Sequence, residues 1–464
     1  MSDKDEFESE FESEFESESK IEKYIYNFIL ALISLGFISQ LLFYAIRICY
    51  DCAFPDEAEH FERIRLYASE HILFFKDNEN TLTYGPLRTS PFFYHFLYGN
   101  LLKLKIFELF NIPQQLFLRY INILLAVFKF LYIYLVTKEV VKNKLIQITI
   151  LMVLTNIMMF VAHSVANSYD NLINLLAIAS FYHLIQFIKH HKRLQLEIFL
   201  LITLIGTATK ATYLPLILVQ TIILLYYFLK SKKDQIPFVL KKTFALKEIF
   251  LIIPILFFIF LNSNIYLRNL VLYKSLTPGC ESVFGKEKCI SGAGMYQRDY
   301  HLKEKSKTQE IMRFKDYLNR YFEEAFGGIL AIHGHISMIK FYGNMKMEIL
   351  ILKLAITIML LFNFYRCFSN PVFNILIISA LFYVIAVIAQ NYFSYLNIRS
   401  FGIGLQGRYL FPVLANMVIV LIYGGMIGFH KYIKWPIFIF VSYVFIRGNF
   451  YYFIKHAGVG WFIQ

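Results

Sequence analysis

Long apolar runs recur from one end of this chain to the other, each close to the length a helix needs to cross roughly 30 Å of hydrocarbon. They fall at residues 24 to 49, 115 to 137, 145 to 163, 170 to 188, 195 to 209, 212 to 229, 248 to 269, 347 to 365, 371 to 390, 409 to 429 and 435 to 453. The pattern predicts an all-α, polytopic transmembrane helical bundle of about eleven spans. With 57% hydrophobic and 17% charged residues and a mean hydropathy of +0.51, the chain has too few charged side chains to cover a soluble globule of 464 residues. A lipid bilayer is its expected environment.

The chain opens on an acidic tail, residues 1 to 23, in which Phe-Glu-Ser-Glu occurs three times between Phe7 and Glu18. That period of four offers no buriable face beyond isolated phenylalanines, so the tail is expected to be disordered. The first apolar run is too long for a cleavable signal peptide and lacks a small-residue cleavage site, which predicts a signal anchor. Without residues 1 to 19 the formal charge rises from +13 to +21.

Placing the N-terminus in the cytoplasm puts fifteen Lys and Arg on the short inner connections and three, Lys210, Arg399 and Arg408, on the short outer ones. This bias follows the positive-inside tendency and gives the basic residues a topological explanation. Nucleic-acid binding is not needed, and no nucleic-acid module is visible. The expected location is the plasma membrane (the inner membrane of a bacterium), with the C-terminal tail, 456 to 464, outside.

Two long connections, 50 to 114 and 270 to 346, then fall on the extracytoplasmic face, where loops of such length tend to carry function. The first is rich in Tyr, Phe and Pro, as expected of interfacial helices. The second contains Cys280 and Cys289, which can pair in an oxidising compartment. Cys49, Cys52 and Cys367 lie near span ends and are read as small packing residues.

Polar residues converge on the same face. Just after the first span comes Pro55-Asp56-Glu57-Ala58-Glu59-His60, in which Asp56 and His60 would share a helix face with Glu57 and Arg63 nearby. Proline at a first helical position followed by acids is also how ordinary helices begin. Asn167 and Asp170 precede the fourth span, where Asp170 would serve equally as a helix cap. Lys210 follows the fifth span and Arg268 ends the seventh, each also readable as snorkelling. Gln406 and Arg408 form a polar interruption before the tenth span, where an outer arginine runs against the positive-inside tendency. His333 and His335, alternating late in the second loop, can ligate a metal or merely lie in the interface.

Acids on one loop and cations elsewhere at a membrane surface suit glycosyl transfer from a lipid-phosphate sugar. A carboxylate accepts the proton of the attacking hydroxyl, and Arg and Lys stabilise the phosphate that departs on the lipid. A divalent cation such as Mg or Mn, with Asp56, Glu57, His60, His333 and His335 as candidate ligands, would share that task. A transporter or flippase of a lipid-linked or anionic substrate would instead carry charges deep within its spans, or internal repeats. The spans are read as showing neither. A non-catalytic scaffold using the acidic tail is a third reading.

The chain resembles the bacterial multi-pass family called domain of unknown function 2142, grouped with the GT-C superfamily of membrane glycosyltransferases. The resemblance lies in Pro55-Asp56-Glu57-Ala58-Glu59-His60-Phe61, Tyr84-Gly85-Pro86-Leu87, Pro91-Phe92-Phe93-Tyr94, Ser168-Tyr169-Asp170-Asn171-Leu172, Lys210-Ala211-Thr212-Tyr213-Leu214-Pro215 and Gln406-Gly407-Arg408-Tyr409-Leu410-Phe411-Pro412. These run in order across residues 24 to 455. The resemblance implies a GT-C bundle, a polyprenyl-phosphate sugar donor and a glycan, lipid or protein acceptor outside the cytoplasm. It assigns the base or metal-ligand role to Asp56 or Glu57 with His60 in support. Phosphate binding falls to Arg408 and Lys210, with Asp170, Gln406 and Tyr409 as further substrate contacts. The acid is expected to face Arg408 across a gap about the size of a sugar phosphate.

Overall fold

A computed structural model describes residues 20–50, 54–70, 72–230, 246–333, 338–339, 357, 368–401 and 405–463. The chain is an all-α membrane protein: among the described residues eight helices are long and apolar enough to span a bilayer. The first is α1, Lys20–Arg47, followed in the first long connection by α2, Glu57–Ser69, and α3, Phe93–Lys103. Then come α4, Gln114–Val140; α5, Lys144–Leu154; α6, Met158–His163; α7, Tyr169–His190; α8, Arg193–Thr209; and α9, Leu214–Lys230. Helix α10, Leu246–Asn262, runs through a π turn into Arg268–Tyr273. Three short helices and the longer α11, Phe314–Leu330, fill the second connection before α12, Pro371–Ile398, α13, Phe411–Met426, and α14, Lys431–Gly448.

Eleven spans were expected, and the differences are informative. The run 347 to 365 lies outside the described residues except for residue 357. The run 195 to 209 forms α8, of seventeen residues. The run 145 to 163 is not one helix: it breaks at Thr155-Asn156-Ile157 into α5 and α6, neither long enough to cross a membrane. Every residue from Ile146 to Ser168 is buried, so this broken element is the interior of the bundle and never meets lipid. Non-helical backbone at membrane depth is tolerated only where protein supplies its hydrogen bonds.

Helices α7 and α13 share that interior, whereas α1, α9 and α10 turn exposed Leu, Ile and Phe outward to where lipid would lie. The C-terminal residues do not trail free. Cys49 N donates to Trp461 O at 3.0 Å and Ile463 N to Arg47 O at 2.8 Å, so the chain's end closes on the end of α1 with Trp461 buried.

The first connection holds α2, α3 and a single helical turn, Ile106–Leu109. In the second, α11 buries Tyr317, Tyr321, Ala325 and Ile329 at four-residue intervals and turns Phe314 and Phe322 out, an amphipathic stripe suited to an interface. Cys280 and Cys289 form a disulfide between two of the short helices. Cys49, read from sequence as a packing residue, is also disulfide-bonded.

Helices α2 and α3 touch backbone to backbone. A Cβ on Gly99 would stand 2.6 Å from Tyr67 Cβ and 2.9 Å from both Ala68 N and Ile64 O. Gly99→Ala should therefore lower stability by about 1–3 kcal/mol through overpacking. Thermal unfolding in detergent checks this, and an unchanged midpoint would show that the two helices slide apart freely.

A candidate active site at one end of the bundle

Residues separated by up to 353 positions in sequence meet at one end of the bundle. Asp56 ends the turn before α2 in a left-handed conformation, φ 61°, that L-residues adopt reluctantly, and its side chain makes no cap bond to the helix. Proline is thus not the first helical residue; the helix starts at Glu57, and Asp56 is turned away from it. Arg408 Nη2 binds Asp56 Oδ2 directly, while Arg408 Nη1 donates to Pro55 O at 3.2 Å and to His163 Nε2 at 3.3 Å. The expected gap between acid and arginine is closed in this state. Asp56 keeps 40% of its side-chain surface exposed, against 3% for Arg408.

Lys210 arrives from the C-terminal end of α8 and pairs with Asp170 Oδ1 at 2.5 Å, both largely buried. Its ammonium lies 4.3 Å from the Tyr169 ring centroid and 5.3 Å from that of Tyr409, the residue after Arg408. The cap of α7 is Ser168, whose Oγ accepts from Asp170 N at 3.3 Å. This leaves the Asp170 carboxylate for the lysine. Gly407 brings the segment against α11 so closely that a Cβ would lie 2.5 Å from Ala325 O and Ile329 N. Three buried polar atoms here make no hydrogen bond: Arg408 Nε, Gln406 Oε1 and His163 Nδ1.

Glu57 goes elsewhere. It is fully buried, and Arg119 of α4 grips it through Nε at 3.0 Å and Nη2 at 2.6 Å, while Asn167 N donates to it at 2.9 Å. The remaining Arg119 hydrogens reach Ala45 O, Ile48 O and Cys49 O, at the carbonyl end of α1 where a cation suits the helix dipole. Of the two acids that the sequence leaves equivalent, Glu57 is built into the frame and Asp56 faces the open side.

His60 packs beneath, its Nδ1 3.0 Å from Nε2 of His95 and its ring 4.3 Å from that of Tyr169. Burial first, then His95 and the cations Arg63, Arg408 and Lys210, hold His60 well below the usual histidine range; burial and then Arg63 do the same to His95. One ring therefore donates and the other accepts, with neither charged. Arg268 lies apart, near Asp77 and Arg88. The backbone of His333 pairs with Met338 in a two-residue antiparallel strand pair, and His335 lies outside the described residues. Among the described residues no three His, Cys, Asp or Glu side chains gather as a metal cage.

Sequence reasoning missed Arg119, Asn122 and Lys129, all inside the run 115 to 137 that was read as free of internal charge. The signal was their spacing: with Gln115 they fall at intervals of four, three and seven, one face of a helix. His95 and His163 lacked even that signal. No protein-family model matches the chain, and no curated protein sequence does.

The histidine pair makes stability pH-dependent. Both are neutral when folded and free to protonate when unfolded, so acid favours the unfolded chain. Stability should fall as pH drops below about 6.5, by up to about 1.4 kcal/mol per pH unit for each histidine. Unfolding midpoints measured from pH 8 to 5 should show this decline, flattened in His60→Gln/His95→Gln; a parallel decline in the double variant would place the titration elsewhere.

Proposed function

We propose that this protein is a membrane glycosyltransferase of GT-C type that moves a sugar from a polyprenyl-phosphate donor to an acceptor outside the cytoplasm, an envelope polysaccharide, lipid or protein glycan. One observation carries the reading. A partly exposed carboxylate, Asp56, sits at a span end against a buried guanidinium whose Nε–H has no partner, with the Gln406 carbonyl oxygen also unpartnered. A donor at hand and an acceptor nearby suit a phosphate oxygen and a hydroxyl.

The chemistry follows from this arrangement. A lipid phosphate entering beside Arg408 and Lys210 competes with Asp56 for the guanidinium and frees the carboxylate. Asp56 then takes the proton of the acceptor hydroxyl as its oxygen bonds to the anomeric carbon. The bond from that carbon to the phosphate oxygen breaks, and its electron pair leaves on the lipid phosphate, whose charge Arg408 and Lys210 meet. Attack opposite the leaving group inverts the anomeric centre. Tyr169 and Tyr409 flank Lys210 and keep its ammonium partly desolvated. Of the proposed metal ligands in the first connection, Glu57 and His60 are already engaged in the interior, which leaves Asp56 there; no step is derived through Mg or Mn.

The disulfide Cys280–Cys289 agrees with an oxidising, extracytoplasmic side for the second connection. The transporter reading also gains an observation, since Lys129 is buried within a span-length helix and the third apolar run is broken.

Protein reconstituted in lipid and offered radiolabelled polyprenyl-phosphate sugars separates the two. Sugar should leave the lipid, and Arg408→Ala should lower turnover by about a hundredfold or more, as loss of an electrostatic stabiliser does, with Lys210→Ala smaller. No release with any donor, together with movement of the intact lipid across sealed vesicles, would replace the enzyme by the transporter.

A further inference from the structure

The most unusual charge in the molecule plays no part in the chemistry above. Lys129 is the sixteenth residue of the 27-residue α4, roughly 15 Å along the axis from Arg119, and is buried. Among the described residues no carboxylate pairs with it. Its Nζ donates to Ser164 Oγ at 2.5 Å and lies 3.9 Å from the Phe160 ring centroid. Ser164 Oγ in turn donates to Phe160 O at 2.5 Å, so the ammonium binds at the carbonyl end of α6, where a cation is favoured.

From there the chain leaves helical conformation and climbs along α4 towards the site. Ser164 meets Lys129; Val165 O and Ala166 O accept from Asn122 Nδ2 at 3.3 and 2.8 Å; Asn167 Nδ2 donates to Gln115 O at 3.3 Å. Partners rise from 129 to 115 as the segment runs from 164 to 167. At its lower end stands His163. A guanidinium only donates, so His163 Nε2 accepts from Arg408 Nη1.

We propose that Lys129 is a positioning residue for the site: by fixing the end of α6 through Ser164 it holds His163 against Arg408 and so aims the guanidinium at Asp56. A methionine of similar length would fill the same space without the bond. Replacing a buried charge in this way need not weaken a fold. Loss of orientation with retained stability therefore distinguishes positioning from bulk support.

Lys129→Met, Lys129→Arg and the exposed Lys138→Met, all full-length in nanodiscs, are compared by amide hydrogen exchange and by binding of a polyprenyl phosphate. Lys129→Met should speed exchange about tenfold in residues 163–168 and 56–60, leaving the inner half of α4 and the unfolding midpoint unchanged. It should weaken lipid-phosphate binding about tenfold, with Lys129→Arg near wild type and Lys138→Met silent. Unchanged exchange in 163–168, or a rise throughout the bundle with a lower midpoint, overturns the proposal. The binding arm rests on the glycosyl-transfer reading. If wild-type protein binds no polyprenyl phosphate, that reading fails while the exchange pattern still decides the role of Lys129.

Discussion

Everything at the functional end of this protein hangs on the buried pair between Glu57 and Arg119. The guanidinium has five N–H donors and all five are used: two on Glu57 and three on backbone carbonyls where α1 ends. The carboxylate also receives Asn167 N from the non-helical segment before α7. Three distant stretches of chain are therefore tied at one point that no water reaches. A buried ion pair adds little over an apolar substitute, but removing one partner strands a charge at a cost of about 3–5 kcal/mol. Such a pair fixes arrangement more than it adds stability. What it fixes is the left-handed turn that sends Asp56 the other way.

Two neighbouring acids thus have opposite duties, divided by a change of backbone direction over one residue. Glu57 enters the helix and faces inward; Asp56, with φ 61°, faces Arg408 and the open side. A second ion pair, Asp170 with Lys210, closes the far wall through α7 and α8. Arg408 and Lys210 thereby reach the same place with their charges already partnered, so the proposed anionic donor would enter by exchange of partners. Exchange would keep both cations neutralised before and after binding, which limits the desolvation that an empty cationic pocket would suffer.

Much of this was legible in the sequence, and the parts that were not share a cause. Asp56, Asp170, Lys210 and Arg408 stand out because each interrupts an apolar stretch near a span end, and the positive-inside pattern puts them on one face. Arg119, Asn122 and Lys129 lie within an apolar run, where a sum over hydropathy absorbs them and only their helical register betrays them. The break in the third run carries neither Pro nor Gly. It is made by Thr155 and Asn156 side chains bonding back to carbonyls of α5, and Asn156 Oδ1 accepts from Asn449 Nδ2 at 3.2 Å, a contact from the far end of the chain that is invisible to local pattern. Whether Asp56 or Glu57 faced the site could not be read from two adjacent letters, because their backbone angles decide it.

The division of labour between these two acids is the central claim, and one paired measurement tests it. Asp56→Asn and Glu57→Gln would be purified side by side, their unfolding midpoints recorded, and their turnover of a polyprenyl-phosphate sugar measured on the folded fraction. Asp56→Asn should lose turnover with a small fall in midpoint, since its partner-facing side chain is part-exposed and the amide oxygen still accepts from Arg408, whereas Glu57→Gln should lower the midpoint much further and retain more turnover per folded molecule than Asp56→Asn. The reverse, an unstable Asp56→Asn beside a stable and inactive Glu57→Gln, would contradict the claim.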